Sequence, residues 1–349
     1  MNKTKKILML GNLPGKNPRS VGGATQLLKD ILLFLRQHSS FQIVQKPLRS
    51  LWLPKFQLLD YFLWPFKAPF IFRPFDVISI HATYDFTLTI APLVIWWAKQ
   101  MKKQVVYHTF GGMLHKKIAK LPGPARSFVL NGLRKADTLF VETLEMLEWF
   151  RNQGFDNVEW MPNSRPAYPG VIRNIPYQRK FVFISRVTPN KGVDILVKAF
   201  SKLGTSYTLD IYGPLDRKYY SEQSFDDIPN IRYLGSLDSN NVRETLLQYN
   251  FLILPSFHTG EGYPGIIIES FSVGIPVIAT NWRSIPELVT HEKNGLLIEP
   301  KSVESLVNAI LSIDDNKYNQ LRDGAMKRFN DFDAQKNFNK FIKAYTHKK

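Results

Sequence analysis

The sequence predicts an α/β protein with two doubly wound, Rossmann-like domains, and three observations lead to this expectation. A chain of 349 residues exceeds one ordinary hydrophobic core and suits two domains of about 150 to 180 residues. A buried strand followed by a glycine-rich loop and a helix occurs twice, at residues 6–35 and at residues 181–200. A stretch rich in proline and glycine, residues 165–178, separates these two halves.

Composition places the chain among ordinary soluble globular proteins, with 44% hydrophobic and 21% charged residues. The absence of cysteine excludes disulfides and thiolate metal sites, and it is compatible with a reducing compartment. The apolar run near the N-terminus stops at Gly11 after four residues, so a first strand explains it better than a signal peptide. No stretch reaches the roughly 18 apolar residues of a membrane span. We therefore expect a cytoplasmic protein.

The basic excess is concentrated in the first half of the chain. Residues 1–172 contain 23 Lys and Arg against 10 Asp and Glu, whereas residues 173–349 contain 23 against 19. The first half thus contributes +13 and the second half +4 to the formal net charge of +17. A basic half beside a nearly balanced half suggests that one domain faces a polyanion, either nucleic acid or an anionic membrane surface.

Apolar runs between turn signals define the elements of the first domain. They predict a strand at 6–10, a helix ending near residue 35, a strand at 77–80, a single helix at 87–98 and a strand at 104–107. The last two strands are followed by His81 and His108. Because open α/β sheets bind ligands at the carboxyl ends of their strands, both histidines stand where a ligand is expected. A structural histidine is the alternative for His108 and the favoured interpretation for His81.

Residues 47–75 interleave aromatic and basic side chains. Four prolines predict that the segment does not form one long helix; they are Pro54, Pro65, Pro69 and Pro74. A segment at a membrane interface places aromatic rings at the level of the lipid headgroups and basic side chains near anionic lipid. The residues expected to contact membrane or acceptor are Trp52, Lys55, Trp64, Lys67 and Arg73. Core packing and base stacking are the alternatives, although no nucleic-acid motif accompanies the aromatics.

The second domain shows the same alternation. Strands are predicted at 181–184, 207–213, 230–237, 251–254, 283–288 and 294–298, with a closing helix at 333–345. Asp331 and Asp333 formally make a D-x-D metal motif, but no strand precedes them. A helix cap is therefore predicted there rather than a metal site.

The stretch at residues 253–280 predicts an anion site. A strand enters a glycine-rich loop, and the loop opens an apolar helix that Pro264 can begin. The free N–H groups and positive dipole end of such a helix suit a phosphate. Glu261 lies in the loop and Glu269 about one turn into the helix, so one carboxylate stands on each side of the site.

These two glutamates, separated by seven residues and followed by S-F-S-V-G-I-P-V-I-A-T, resemble the E-x7-E signature of the retaining glycosyltransferases of family 4. The resemblance implies the GT-B fold, in which two Rossmann-like domains face each other across a cleft. It further implies an acceptor domain at 1–170, a nucleotide-sugar domain at 171–330, and a helix at 331–349 that returns to the first domain. Ser164 and Ser185 stand where the family usually has glycine.

The resemblance also assigns roles to residues. His108 is similar to an H-x-x-G position that meets the donor sugar, and Arg186 and Lys191 to a pair that clamps the diphosphate. With Glu261, which would contact sugar hydroxyls, these are the implied catalytic residues. The implied donor-binding residues are Gly22, Gly23, Gly235, Ser236, Gly262, Tyr263, Pro264, Gly265, Ile266 and Glu269. No metal or other cofactor is implied.

We therefore expect a retaining, metal-independent glycosyltransferase of bacterial surface-polysaccharide synthesis. The donor would be a nucleoside diphosphate sugar, with uridine expected from its frequency in the family, and the acceptor a hydroxyl of a lipid-linked saccharide. Its basic, aromatic first domain predicts a peripheral position at the inner face of the cell membrane. The alternatives are a soluble acceptor, a GT-B protein that binds without turnover, a dinucleotide-dependent oxidoreductase, or a nucleic-acid-binding protein. No G-x-G-x-x-G follows a strand, which speaks against the oxidoreductase.

Overall fold

The computed structural model describes residues 4–15, 22–38, 40–48, 57–172 and 175–346, with the side chains of 57–62 left out. The chain divides into two compact units: the first comprises Met1–Pro166 together with Ala334–Lys349, and the second comprises Ala167–Asp333. Each unit is built on its own parallel sheet, which confirms the predicted fold class of two Rossmann-like domains. Within the described ranges, no helix is long and apolar enough to cross a membrane.

Each sheet has six strands in the described part of the chain, and neighbouring strands are parallel. The strands of the first unit are β1 (Lys5–Leu10), β2 (Phe41–Lys46), β3 (Val77–Ala82), β4 (Gln104–Thr109), β5 (Thr138–Val141) and β6 (Val158–Trp160). Those of the second unit are β7 (Lys180–Ile184), β8 (Thr208–Tyr212), β9 (Ile231–Tyr233), β10 (Phe251–Leu254), β11 (Val277–Thr280) and β12 (Gly295–Ile298). The inner strands are apolar on both sides because helices cover both faces of a parallel sheet.

The helices connect these strands. Those before residue 160 are α1 (Gly23–Arg36), α2 (Gln57–Phe72), α3 (Tyr84–Thr89), α4 (Ala91–Gln100), α5 (Leu114–Ala119), α6 (Gly123–Arg134) and α7 (Leu144–Asn152). Those of the second unit are α8 (Val193–Phe200), α9 (Val242–Leu246), α10 (Gly265–Ser272), α11 (Val303–Leu311) and α12 (Asp315–Phe329). The last helix, α13 (Ala334–Thr346), belongs to the first unit.

Strand order fixes where each unit can bind a ligand. The order is β2-β1-β3-β4-β5-β6 in the first unit and β12-β11-β10-β7-β8-β9 in the second. The direction of winding reverses between β1 and β3 and between β7 and β10, and open α/β sheets bind ligands beyond the carboxyl ends of the strands at such points. In the second unit, the loops after β7 and β10 therefore frame the expected site.

Helix α2 shows that the predicted effect of its prolines was wrong. Pro65 and Pro69 lie inside one helix of 16 residues. A proline in a helix interior costs about 3 kcal/mol. The buried side chains of Trp64, Ala68 and Phe72 follow one another at four-residue intervals and pack into the core, and burying a large apolar side chain stabilises by about 1.5–3 kcal/mol. Tertiary packing therefore keeps the segment helical.

Two further predicted elements differ in the structure. The helix expected at 87–98 is divided into α3 and α4 at Ile90, since Pro92 stands in the first turn of α4, where its missing N–H is tolerated. Residues 283–288 form no strand but a short 3₁₀ turn, Ile285–Glu287, which contains Pro286. Proline cannot donate to a ladder inside a sheet, and β11 occupies the position beside β10 instead.

Helix α13 closes one face of the first sheet and completes a buried polar chain. Tyr345 packs there with its hydroxyl 2.8 Å from Ser79 Oγ, which lies 2.9 Å from His81 Nε2. His81 Nδ1 lies 3.2 Å from His108 Nδ1, so one nitrogen donates and the other accepts. Both imidazoles are buried, and Phe341 of α13 packs against each ring. The helix thus supplies the hydroxyl that ends the chain and the ring that covers it.

The buried pair predicts acid sensitivity of the first unit. Burial lowers the pKa of His108 to about 3, and burial together with His108 lowers the pKa of His81 well below its usual range. The pKa of a histidine in an unfolded chain is about 6.5, so below that pH the unfolded chain binds more protons than the folded unit. The stabilisation is complete above about pH 6.5 and is lost as the pH falls, by up to about 1.4 kcal/mol per pH unit for each histidine.

We expect His108→Leu to flatten this pH dependence, measured as the unfolding free energy of the first unit between pH 7 and pH 4.5. The half-buried His38, outside the pair, provides the control variant His38→Gln. Equal slopes for wild type and His108→Leu would contradict the assignment.

Candidate active site

Predicted site residues of the second unit come together at the carboxyl ends of two adjacent strands. Strand β7 is followed by Arg186 and Lys191, and the neighbouring β10 is followed by Glu261. Gly192 brings the two loops into contact. Its φ is +83°, and a Cβ there would lie 2.2 Å from the carbonyl oxygen of Pro255, so only glycine fits.

Lys191 and Glu261 form a buried ion pair. Their side chains are 11% and 8% exposed. Lys191 Nζ donates to Glu261 Oε1, and the hydroxyl of Ser256 donates to the same oxygen at 2.7 Å. A buried charge without a partner is costly, so each side chain of the pair needs the other. Sequence reasoning gave both residues to the donor but missed their contact and the role of Ser256.

Other groups beside this pair are open to a ligand. Only Oε1 of Glu261 takes part in the hydrogen bonds described above, which leaves Oε2 as an acceptor. The side chain of Arg186 is exposed, and in the described part of the chain its guanidinium makes no hydrogen bond or ion pair with protein. The site therefore combines a buried, paired cation, an exposed cation and a carboxylate oxygen.

The N-terminus of α10 is half-buried and has no side-chain cap among the described residues. Pro264 occupies the N-cap position and Gly265 the first helical position, so the amides of Gly265 and Ile266 have no side-chain acceptor. The side chain of Tyr263 is buried, and its hydroxyl donates to Glu287 Oε2 at 2.5 Å, so a contact of this residue with the donor stays a prediction for its backbone. That side chain anchors the loop, together with the half-buried Gly262 beside it.

The remaining predicted donor residues of the second unit lie farther along the same edge or helix. Glu269 is half-buried in the second half of α10. Gly235 follows β9 with φ +77°, its carbonyl accepts from Gly213 N at 2.8 Å, and Ser236 is exposed beside it. Strand β9 is two strands away from β7, a separation of about 10 Å.

Sequence reasoning missed His258, which the loop after β10 places beside the ion pair. Thr188 Oγ1 donates to Asn190 Oδ1 at 2.6 Å, which turns the amide nitrogen of Asn190 towards His258 Nδ1 at 3.0 Å. Nδ1 is then the acceptor, so Nε2 carries the proton of the neutral ring. Burial, and next the charge of Lys191, lowers the pKa of His258 and keeps it neutral. The only sequence signal was a histidine two residues after Ser256.

In the first unit, Gly22 and Gly23 begin α1 at the carboxyl end of β1. A Cβ on either would meet no atom within 4 Å, and the φ of Gly22 is −172°, which any residue adopts. No described residue of the unit therefore requires glycine at these positions. Close approach of a ligand would require it, and their role in donor binding stays a prediction.

His108 is placed differently from the expectation. Its ring lies among Phe110, Phe140 and Phe341, no part of it is exposed, and Nε2 has no hydrogen-bond partner in the described residues. A contact with a donor sugar would require this aromatic cover to move. The packing favours the structural role that the sequence left open.

The proposed membrane residues divide into three groups. Trp52 and Lys55 lie outside the described residues. Trp64 is a core residue rather than an interfacial one, because it is 6% exposed and its indole N–H donates to the carbonyl of Leu48 at 3.1 Å. Lys67 and Arg73 are exposed on and just after α2.

Comparison with known proteins identifies the region that contains this site. Residues 178–316 match the family model described as glycosyl transferases group 1. An uncharacterized glycosyltransferase of Methanocaldococcus jannaschii is 28% identical over 174 residues, which are 49% of this chain and 48% of that protein. The putative colanic acid biosynthesis glycosyltransferase WcaL of Escherichia coli is 28% identical over 144 residues, 38% of this chain and 35% of that protein. The chain thus spans about half or less of the length of these curated relatives.

A solved structure matches over nearly the whole chain. HepE of Anabaena, crystallised in complex with UDP, superposes with a TM-score of 0.72 at 17% identity and covers 98% of this chain and 99% of its own. Other crystals of HepE contain UDP and glucose, or UDP-glucose. At this identity the match establishes the fold, which is GT-B.

The buried ion pair of Lys191 and Glu261 predicts how substitutions change the unfolding free energy of the second unit. Lys191→Met leaves the Glu261 carboxylate buried without its cation, so we expect the second unit to lose about 3 kcal/mol of unfolding free energy. Adding Glu261→Gln to this variant should recover much of the loss, because no unpaired charge remains. Urea denaturation of the single and double variants measures both effects. The exposed Lys198 gives the control Lys198→Met, and a Lys191→Met variant as stable as that control would contradict the pairing.

Proposed function

We propose that this chain, whose residues 178–316 match the family model described as glycosyl transferases group 1, transfers a sugar from a nucleoside diphosphate donor to a hydroxyl acceptor with retention. The observation that supports this most directly is the cluster at the switch point of the second sheet. There a buried lysine, an exposed arginine, an uncapped helix N-terminus and a carboxylate surround the carboxyl ends of β7 and β10.

The diphosphate would bind to the cationic part of this cluster. The guanidinium of Arg186 has no partner among the described residues, and Lys191 has N–H groups beyond the one given to Glu261. The amides of Gly265 and Ile266 lie at the positive end of α10. As the bond to the sugar breaks, negative charge accumulates on the leaving diphosphate. Fixed cations and amides stabilise that charge without reorganising, which lowers the barrier.

The sugar would bind to Glu261. Its Oε1 is held by Lys191 and Ser256, so the carboxylate is fixed in place before the donor arrives. Oε2 can then accept from sugar hydroxyls without a loss of side-chain freedom. The geometry supports a positioning role for Glu261, while its ion pair with Lys191 argues against a free nucleophile.

His258 would add a neutral donor to the phosphate site. The hydrogen bond from Asn190 fixes the tautomer, and the proton on Nε2 is then available to a phosphate oxygen. No other side chain of the described site is a basic group free to deprotonate the acceptor. We propose that a leaving phosphate oxygen takes the acceptor proton on the same face of the sugar, without a metal.

The nucleoside would bind along the rest of the edge, with the ribose at Glu269 and the base near Gly235 and Ser236. A nucleoside is long enough to reach from the loops after β7 to the end of β9, about 10 Å away. The complexes of HepE with UDP and UDP-glucose support uridine as the base. The sugar would be a hexose.

We further propose that the acceptor is a lipid-linked saccharide in the assembly of a cell-surface polysaccharide, bound by the first unit at the inner face of the cell membrane. The relative named for colanic acid biosynthesis supports the pathway class. The basic excess of the first half of the chain supports an anionic surface. A soluble acceptor is the alternative, and transfer to water-soluble saccharides at the same rate as to lipid-linked ones would favour it.

A panel of nucleoside diphosphates and their sugars tests the donor. We expect UDP and one UDP-hexose to raise the melting temperature of the protein, with and without EDTA, because no metal is needed to hold the diphosphate. Turnover of that UDP-hexose should likewise survive EDTA. Stabilisation by a nicotinamide dinucleotide or by RNA, with none by any nucleotide sugar, would overturn the proposal.

Glu269→Ala tests the ribose assignment. Loss of a charged acceptor for the ribose hydroxyls should raise the donor KM by about 10²-fold, since a hydrogen bond to a charged group contributes about 1.5–3 kcal/mol. The variant should also stop discriminating against a 2′,3′-dideoxy donor. Glu304→Ala, at an exposed glutamate of α11, is the matched control. An unchanged KM for the donor would show that Glu269 does not hold the ribose.

A further inference from the structure

Three neighbouring helices of the first unit share an unusual outer surface. Helix α4 packs against α2 on one side and α6 on the other, where Gly132 allows α6 to approach Pro92 closely. All three bury their inner sides in one core over the first sheet. Their outer sides form what we call the α2–α4–α6 face, defined by Phe66, Phe70, Leu93, Trp96 and Phe128.

Each of these helices turns a large apolar side chain away from the core. Phe66 and Phe70 are 64% and 83% exposed, and each follows a buried residue of α2 by two positions, about 200° around the helix. On the other two helices, Leu93 and Trp96 are each 38% exposed and Phe128 is 45% exposed. Among the described residues of the first unit, five of the eight exposed large apolar side chains thus lie on this face.

The same region carries positive charge and no negative charge over a long span. From Phe86 to Ala136, which includes α4 and α6, the sequence has nine Lys and Arg and no Asp or Glu. Lys67 and Arg73 are exposed at α2. Lys103 donates to the carbonyl of Arg73 at 3.0 Å, which places a third basic residue at that end of the helix. Lys99 and Lys116 of this span pair with Asp137 and Glu145 outside it. The cations that border the rings are Lys67, Arg73 and Lys103.

This combination selects one occupant. A second copy meeting the chain through the same face would bring cations against cations, because the two patches of such a dimer are identical. A neutral apolar partner would leave the basic border without a counter-charge. An anionic bilayer meets both needs, since phosphate headgroups pair with the cations and the acyl boundary accepts the exposed side chains of Phe66 and Phe70.

We propose that the α2–α4–α6 face docks this chain on an anionic lipid bilayer, with Phe66 and Phe70 inserted at the headgroup boundary and Lys67, Arg73 and Lys103 against phosphates. The proposal rests on the proposed function in one respect: a lipid-linked acceptor would explain why the chain contacts a membrane. It replaces Trp64, a core residue, with exposed rings as the interfacial aromatics.

Co-sedimentation with vesicles tests the proposal. We expect the full chain to sediment with vesicles of phosphatidylcholine and phosphatidylglycerol, and much less with phosphatidylcholine alone or at high salt. The double variant F66S/F70S should bind anionic vesicles at least about tenfold more weakly, because two rings no longer enter the boundary. Leu33→Ser, at a residue of α1 that is 51% exposed on the other face of the sheet, should bind like wild type.

A second variant guards against a folding defect. Lys67→Glu with Arg73→Glu keeps both rings and should also abolish binding to anionic vesicles, while thermal melts verify that each variant is folded. The proposal is overturned if the wild-type protein does not co-sediment with anionic vesicles, or if a folded F66S/F70S variant binds them as the wild type does. Nucleotide-sugar binding is measured separately, without vesicles. A protein that binds no nucleotide sugar would overturn the proposed function alone, and the vesicle assay would still decide the docking proposal.

Discussion

The buried pair of Lys191 and Glu261 is the interaction on which the candidate site depends. Neither side chain could remain charged in so enclosed a position alone, and the two come from loops after different strands. Gly192 makes their approach possible by letting one loop rest on the carbonyl of Pro255. Folding of the second unit therefore assembles the site as a consequence of satisfying these two charges, and the carboxylate is oriented before any ligand binds.

In the first unit, too, buried polar side chains need partners, but there the groups are neutral. His81 and His108 are buried at the carboxyl ends of adjacent strands, where their pKa values fall and their hydrogen bonds run through Ser79 to Tyr345. Tyr345 lies more than 260 residues after Ser79, so the polar interior of this unit is satisfied only when α13 is in place. A position at a strand end suggested ligand binding for these histidines, but what they contact decides their role.

The sequence predicted the features that depend on local pattern. Continuous apolar runs indicated parallel strands, and the strings around Glu261, Glu269, Arg186 and Lys191 indicated the family. Patterns set by distant packing were not predictable. The prolines of α2 argue against a helix, yet the core contacts of Trp64 and its neighbours hold one. Residues 283–288 were predicted as a strand, but Pro286 lies in a 3₁₀ turn there, and β11 is the strand that pairs with β10. The contact between Lys191 and Glu261 joins residues 70 positions apart, which no local pattern contains.

The same limit explains the aromatic segment. Composition shows that rings and cations alternate but not which rings face the core, because that depends on where α4 packs. Once α2 is seated, Trp64 turns inward and Phe66 and Phe70 turn outward. Folding of the unit does not remove the exposed part of these phenylalanine side chains from water. Two such side chains in one stripe, beside a span that contains no Asp or Glu, therefore fit a surface that is apolar within and anionic outside.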